Sequence, residues 1–157
     1  MVIGIAITGF KYTGYSHSTQ FCSELGASGS PTEKLSPIIN NYPLGVFFCV
    51  FGLYIIQVAD TAIALKIIGF LIIVHGIGTW IAGYFPMDAD PYTKNPSFSC
   101  KVHSWAGMFM MLSLLIAPLV SLSSSHFTIG FRLFSANLSN CNNLFHLHFK
   151  KSLPTKK

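Results

Sequence analysis

Long runs without charged residues dominate the pattern of this chain. Three stretches, residues 38–59, 67–85 and 104–122, contain no Asp, Glu, Lys or Arg. A helix rises about 1.5 Å per residue, so about 20 residues are enough to cross a hydrocarbon core of about 30 Å. The pattern therefore predicts three membrane-spanning helices, over residues 38–59, 62–85 and 104–122.

The two ends of the chain differ from these spans. Residues 1–10 are apolar but cover only about half of a membrane crossing, so they predict a shortened first helix. No run shows the alternation of apolar and polar positions that a barrel strand needs. The predicted fold class is all-α, a helical transmembrane bundle of about four segments within residues 1–124. Residues 125–157 are predicted to be a basic, Ser- and Asn-rich cytoplasmic tail that is poorly ordered.

The composition supports the same fold class. Hydrophobic residues make up 51% of the chain and charged residues 10%, which leaves too little polar surface to coat a water-soluble globule of 157 residues. The lipid bilayer is therefore the first predicted partner. The predicted location is a cell membrane, namely the inner membrane of a bacterium. Nucleic acid is not a predicted partner, because basic residues in so apolar a chain are better explained as a topology signal.

The charges predict how the bundle is oriented. The positive and negative residues balance in the loops 11–37 and 86–103, and the net charge of +5 is carried by the tail. Basic residues near a membrane stay on the cytoplasmic side. The two loops are therefore predicted outside and the C-terminal tail inside. The basic tail residues are Arg132, Lys150, Lys151, Lys156 and Lys157.

The third predicted helix carries a stripe of glycines. Gly69, Gly76 and Gly83 recur every seven residues, so they share a face on which another backbone can approach closely. The stripe predicts helix packing, either within the chain or in a homo-oligomer. On the same helix His75 and Thr79 lie at mid-membrane depth, which favours a hydrogen bond to another helix over haem ligation or a proton relay.

The first loop contains a regularly spaced set of polar residues. Residues 15–26 predict a short helix that ends at Gly26. His17, Gln20 and Glu24 are spaced three and four apart, so on such a helix they share one face. An imidazole, an amide and a carboxylate are thereby predicted to point the same way.

The second loop adds two more candidate groups. Asp88 follows the third span and His103 precedes the fourth, and adjacent helices lie only about 8–10 Å apart, so both residues flank one opening. His17, Glu24, Asp88 and His103 have the ligand types of a divalent-metal site, and Glu24, Asp88 and His103 are the candidate catalytic residues for acid–base work. The alternative is that the carboxylates cap helix ends or pair with lysines and that His103 is an interface anchor.

Four cysteines occupy four different parts of the chain. Cys22 and Cys100 fall in the two loops, Cys49 lies in the second predicted span and Cys141 in the tail. No pair has the C-x-x-C spacing of a zinc or redox motif. Cys22 and Cys100 share an oxidising compartment, so a disulfide between them and two unpaired thiols are the two alternatives.

Several short motifs occur in order along the chain: Tyr15-Ser16-His17, Ser23-Glu24-Leu25-Gly26, Asn40-Asn41, Phe85-Pro86-Met87-Asp88, and His103 with Ala106-Gly107. Together they resemble the Domain of Unknown Function 998 family of small membrane proteins, over roughly residues 8–122. The resemblance implies a helical membrane protein with no established activity, whose signature polar positions correspond to Ser23, Glu24, Asp88 and His103. Family members usually have a full first helix and further helices after the fourth, so a truncated member is expected here.

Two function classes follow from these patterns. In the first, the chain is a membrane protein without catalysis, with a polar outer-face site formed by the two loops that binds a ligand or serves structure. In the second, it is a membrane-embedded, metal-dependent hydrolase or transferase acting at the outer face. Transport is a weaker third class, because no charged residue lies within the span cores.

Overall fold

The computed structural model describes residues 1–60 and 62–137, and no strand occurs within them. Three of its helices are long and apolar enough to span a membrane, and a fourth, shorter apolar helix begins the chain. The predicted all-α membrane bundle is thereby confirmed. The α-helices are α1 (Val2–Lys11), α2 (Tyr42–Val58), α3 (Ile63–Tyr84) and α4 (Phe98–Leu122), with a 3-10 helix at Cys22–Gly26 and a π-helical turn at Pro37–Asn41 that runs directly into α2.

Helix α4 begins six residues earlier than the apolar pattern predicts. Ser97 is its N-cap, and the Ser97 Oγ accepts a hydrogen bond from the Cys100 amide at 3.1 Å. A serine in this position satisfies one of the free amides of the first turn, so the polar residues before 104 become helical. His103 therefore belongs to the second turn of α4 and not to a loop.

Helices α2 and α3 pack closely along two facing rows of glycine. A Cβ built on Gly69 would lie 2.7 Å from the Gly52 carbonyl oxygen, and one on Gly76 would lie 2.9 Å from the Gly45 carbonyl oxygen. Gly83 continues the row against Asn41. The glycine stripe is thus covered by α2 and its preceding turn within the same chain. The homo-oligomer predicted through this stripe has no support from the structure.

Helices α3 and α4 meet around a small polar group at mid-bundle. The His75 Nδ1 lies 3.1 Å from the Met110 carbonyl oxygen, and since a carbonyl can only accept, Nδ1 carries the proton. The His75 ring also contacts Phe48 edge-on, with centroids 4.6 Å apart, and the side chain is only 8% exposed. His75 therefore makes the interhelical hydrogen bond that its position favours.

The interior of the bundle holds small residues, and the large apolar side chains face outward. Buried positions of the three spans are mostly Gly, Ala, Ser and Thr, while many Phe, Leu and Ile side chains of the same helices are exposed. This distribution suits helices surrounded by lipid, because lipid tails solvate large apolar side chains and small residues let backbones approach.

The loop end of the bundle, meaning residues 12–36 and 86–97, has a core of its own. Leu25 is fully buried, and its carbonyl accepts hydrogen bonds from Thr32 Oγ1 at 2.7 Å and Ser30 Oγ at 3.1 Å. The two loops are joined by a backbone hydrogen bond of 2.9 Å from the Ser28 amide to the Met87 carbonyl. The two loops therefore form one connected cover over the helix ends.

The helix predicted over residues 15–26 is wrong except for its last part. The Gln20 Oε1 accepts the Ser16 amide at 2.9 Å, and Phe21 adopts an extended conformation, so only Cys22–Gly26 forms a 3-10 helix. A side chain that takes a backbone amide offers the chain an alternative to helical hydrogen bonds.

The tail falls mainly outside the described residues. Residues 129–137 are helical, and Arg132 Nε donates to the Leu122 carbonyl at 2.9 Å, which caps the end of α4. The predictions that concern Cys141 and the four tail lysines lie outside the described residues.

Candidate functional site

A cavity of about 200 Å³ lies at the loop end, between the first loop and the ends of the helices. Residues from five elements meet there: the start of α1, the 3-10 helix, the π-helical turn, the end of α3 and the second to fourth turns of α4. The lining residues that the argument uses are Met1, Ile5, Ser23, Ser36, Asn40, Asn41, His103, Gly107 and Met110.

Hydrogen bonds to α3 fix the ring orientation and the tautomer of His103, which lies at the wall of this cavity. Its Nδ1 lies 2.9 Å from both the Ala82 and the Phe85 carbonyl oxygens, which are free acceptors of the last turn of α3. Because two carbonyls can only accept, Nδ1 is the protonated nitrogen and donates to both. In neutral His103 the remaining nitrogen, Nε2, is therefore an acceptor with a free lone pair.

Asn40 and Asn41, directly before α2, form the floor of the cavity. Asn41 Nδ2 donates to the Thr79 carbonyl at 3.3 Å, which ties this turn to α3. Asn40 is only 8% exposed, and its Nδ2 makes a long hydrogen bond of 3.5 Å to Ser36 Oγ. The Asn40 Oδ1 is buried without a hydrogen-bond partner, next to Gly4 of α1. A buried amide oxygen without a donor is costly, and this one is packed against α1 and is not open to the cavity.

The two predicted catalytic carboxylates serve as caps in the structure. Glu24 Oε1 accepts the Phe21 amide at 2.8 Å and its Oε2 accepts Gln20 Nε2 at 2.9 Å, so Glu24 closes the 3-10 helix. Asp88 Oδ2 accepts the Ser97 amide at 2.8 Å, directly before α4. Neither carboxylate lines the cavity. This arrangement matches the structural alternative for both residues.

The remaining site residues are spread over the loop end. His17 packs edge-on against Tyr15, with ring centroids 4.9 Å apart, and lies beside Gly9 of α1, so of the four predicted ligands only His103 reaches the cavity. Within residues 1–60 and 62–137, no three His, Cys, Asp or Glu side chains are grouped so that they could hold a metal ion. Metal binding and acid–base catalysis stay predictions. Cys22 and Cys100 are both free thiols, and a bridge between them likewise stays a prediction.

Asp88 should make the stability of the loop end depend on pH only in the acidic range. Hydrogen bonds from Ser97 hold the pKa of this exposed carboxyl below its ordinary value of 3.8. Since the folded-state pKa is the lower one, the stabilisation is complete above the unfolded pKa and is lost as the pH falls through the folded pKa. Wild type should therefore exceed Asp88→Asn in stability at neutral pH, and this difference should shrink below about pH 4. Thermal unfolding of both proteins between pH 7 and pH 3 measures it, and a difference independent of pH would contradict the capping role.

The sequence patterns missed the floor of the cavity. Asn40 and Asn41 are recognisable in the sequence as two amides inside an otherwise apolar span, and that was the available signal. The pattern does not show that a π-helical turn, with the Tyr42 amide bonded to the Pro37 carbonyl, sets them at the helix mouth. Turns of this kind within helices often occur at functional sites.

These features define a multi-pass helical membrane protein with a cavity of mixed polar and apolar lining at one end of its bundle. The chain matches the family described as "Protein of unknown function (DUF998)" over residues 1–138, and it belongs to that family. The match is longer at both ends than the resemblance seen in the motifs, and it includes all of α1. No curated protein and no solved structure matches the chain.

Proposed function

We propose that the protein binds the polar head of a membrane amphiphile in the cavity at the loop end and performs no catalysis there. The observation that carries the proposal is the cavity itself. It combines polar groups, from Asn40, Ser36 and His103, with apolar side chains, from Ile5 and Met110, on one surface. Ligand sites in proteins typically pair an apolar wall with a few fixed polar groups in this way.

The engagement of the carboxylates supports binding over hydrolysis. A general base must lie within reach of the proton that it removes. Glu24 and Asp88 both lie outside the cavity wall, where their backbone hydrogen bonds hold them. His103 retains an acceptor nitrogen, but the structure sets no carboxylate behind its Nδ1, where two carbonyl oxygens lie instead. The cavity is therefore better equipped to hold a ligand than to move protons.

Filling the cavity should remove the ligand without unfolding the protein. A Cβ built on Gly107 meets no atom within 4 Å, although Gly107 lines the cavity, so Gly107→Leu can occupy the space without a clash. Leucine is also favoured over glycine in a helix by about 0.5–1 kcal/mol, so the bundle should keep its stability. We expect mass spectrometry of mildly purified protein to show at least one lipid species that drops about tenfold in Gly107→Leu.

Gly130→Leu is the matched control for this variant. Gly130 is also helical and also has open space around its Cβ position, but it does not line the cavity. Its lipid profile should equal that of the wild type. Identical profiles for all three proteins would refute ligand binding in the cavity.

We propose further that the loop end faces the outside of the cell, with the tail inside. The support is the charge balance, in which both loops are neutral and the excess of basic residues follows α4. Cys22 is exposed and unpaired, so a membrane-impermeant thiol reagent should label it in intact cells. Cys22→Ser gives the background, and labelling of Cys22 only after the membrane is permeabilised would invert the orientation.

A further inference from the structure

We infer that the lipid-facing side of α4 binds the head of an anionic phospholipid, such as a phosphatidylglycerol, between Lys101 and Trp105. An open groove of about 280 Å³ lies there, and it is lined by Pro96, Lys101, Ser104, Trp105 and Met108. The groove shares no lining residue with the cavity at the loop end. This inference is therefore independent of the function proposed above.

The groove follows one face of a membrane-spanning helix. Lys101, Ser104, Trp105 and Met108 are spaced three and four apart, so they lie on the same side of α4. Ala106, which is buried towards α3, lies on a different side. The face that carries the groove is thus left to the surrounding lipid.

The polarity of the groove changes along the helix. Lys101 is the fourth residue of α4 and Met108 the eleventh, so at about 1.5 Å per residue the groove extends for about 10 Å along the axis. The charge-free run of this span begins at residue 104. Lys101 is therefore expected at the level of the lipid head groups and Met108 in the hydrocarbon. A molecule that matches both ends has a polar head and an apolar tail.

The charge at the polar end selects an anion. Among the described residues that line the groove, Lys101 alone carries a charge. Within residues 1–60 and 62–137 its ammonium has no carboxylate partner, and Asp88 at the same helix end is bound to the Ser97 amide at 2.8 Å. The N-terminal end of α4 adds a partial positive charge. A phosphodiester with a net negative charge suits this end better than a zwitterionic head, whose own ammonium Lys101 repels.

The two tryptophans of the chain differ in a way that supports the same site. Trp80 Nε1 donates to the Tyr42 carbonyl at 2.9 Å, so this indole is satisfied within the bundle. Trp105 is 59% exposed, and within the described residues its Nε1 has no acceptor. An indole at a membrane interface presents an apolar ring to acyl chains and an N–H to polar oxygens. Trp105 can therefore donate to a phosphate or ester oxygen of the lipid that Lys101 attracts.

Two phospholipids with the same acyl chains test the role of Lys101. The full chain in a mild detergent is titrated with palmitoyl-oleoyl phosphatidylglycerol and with the matching phosphatidylethanolamine, and native mass spectrometry gives an apparent Kd for each. The basic tail also attracts anionic lipid, so the informative quantity is the change that a substitution causes. We expect Lys101→Gln to lower the preference for phosphatidylglycerol about fivefold. Lys94→Gln, which removes the same charge from the same loop end but not from the groove, should retain the preference.

A second pair of variants tests the indole. Trp105→Phe keeps an aromatic ring but loses the N–H, so it should weaken the binding of both lipids about threefold without changing their ratio. Trp80→Phe should bind both lipids as the wild type does. The inference is overturned if Lys101→Gln and Lys94→Gln change the preference equally, or if Trp105→Phe and Trp80→Phe bind the lipids alike. The effect of Lys101→Gln should persist when Gly107→Leu fills the cavity, so the two proposed sites stand or fall separately.

Discussion

Gly69→Ala is expected to destabilise the bundle by about 3 kcal/mol or more. The added Cβ would lie 2.7 Å from the Gly52 carbonyl oxygen and 2.7 Å from Ile56 Cγ1. The carbonyl belongs to a helix backbone and cannot turn aside, so α2 and α3 must move apart along their whole contact. Separation weakens every close contact of this seam at once, because packed interiors transmit local strain.

Gly107→Ala is the matched control for this prediction. It makes the same chemical change in another span helix, at a position where the new Cβ meets no atom within 4 Å. It should leave stability equal to the wild type or raise it by about 0.5–1 kcal/mol through helix propensity. Unfolding of both variants in the same detergent gives the comparison. Equal stability of Gly69→Ala and Gly107→Ala would show that α2 and α3 do not pack as closely as described.

His75→Ala is expected to cost about 2–3 kcal/mol of stability. The substitution removes the hydrogen bond from Nδ1 to the Met110 carbonyl and the edge-on contact with Phe48, and it leaves a void between α3 and α4. His75→Asn should recover part of the loss, because its amide can donate towards the same carbonyl. The free energy of unfolding of the three proteins, measured in one detergent, tests this order.

Ser113→Ala is the control that distinguishes the hydrogen bond between His75 and Met110 from the other polar contacts near it. The Ser113 Oγ donates to the Met110 carbonyl at 2.7 Å within α4, and its contact with His75 Nδ1 across the two helices is longer, at 3.4 Å. Its loss should cost less than about 1 kcal/mol. A haem or proton-relay role for His75 would instead show as a changed absorbance or a loss of proton movement in His75→Ala, and stability equal to the wild type would contradict the interhelical hydrogen bond.

The membrane spans could be predicted because the bilayer fixes their length. A charge-free run of about 20 residues has few other stable arrangements, so α2 and α3 were found to within a few residues. The start of α4 was missed because it depends on one side chain, that of Ser97, capping a polar first turn. Hydrophobicity carries no information about such a cap.

The loop-end residues show a different limit of prediction. The spacing predicted Gln20 and Glu24 on one face of a helix, and their side chains do form a hydrogen bond of 2.9 Å, yet Phe21 between them is extended and no continuous helix joins them. Side-chain oxygens that accept backbone amides produce the same closeness by capping a turn. The cavity required more still, since its wall combines α1, α3 and α4, and which faces of separate helices meet is decided by tertiary packing.

The outward placement of the large side chains determines which substitutions this chain can tolerate as it evolves. Phe47 and Leu114 are exposed on the outer face, where lipid surrounds them. Any apolar side chain is solvated nearly equally well there, so Phe, Leu, Ile, Val and Met should replace one another at little cost. At Gly52 or Gly69 the neighbouring backbone leaves no room for any side chain. In a mutational scan the most restrictive positions should therefore be the smallest residues, and the bulkiest should be the most permissive, the reverse of the order in a water-soluble protein, where the large side chains form the core.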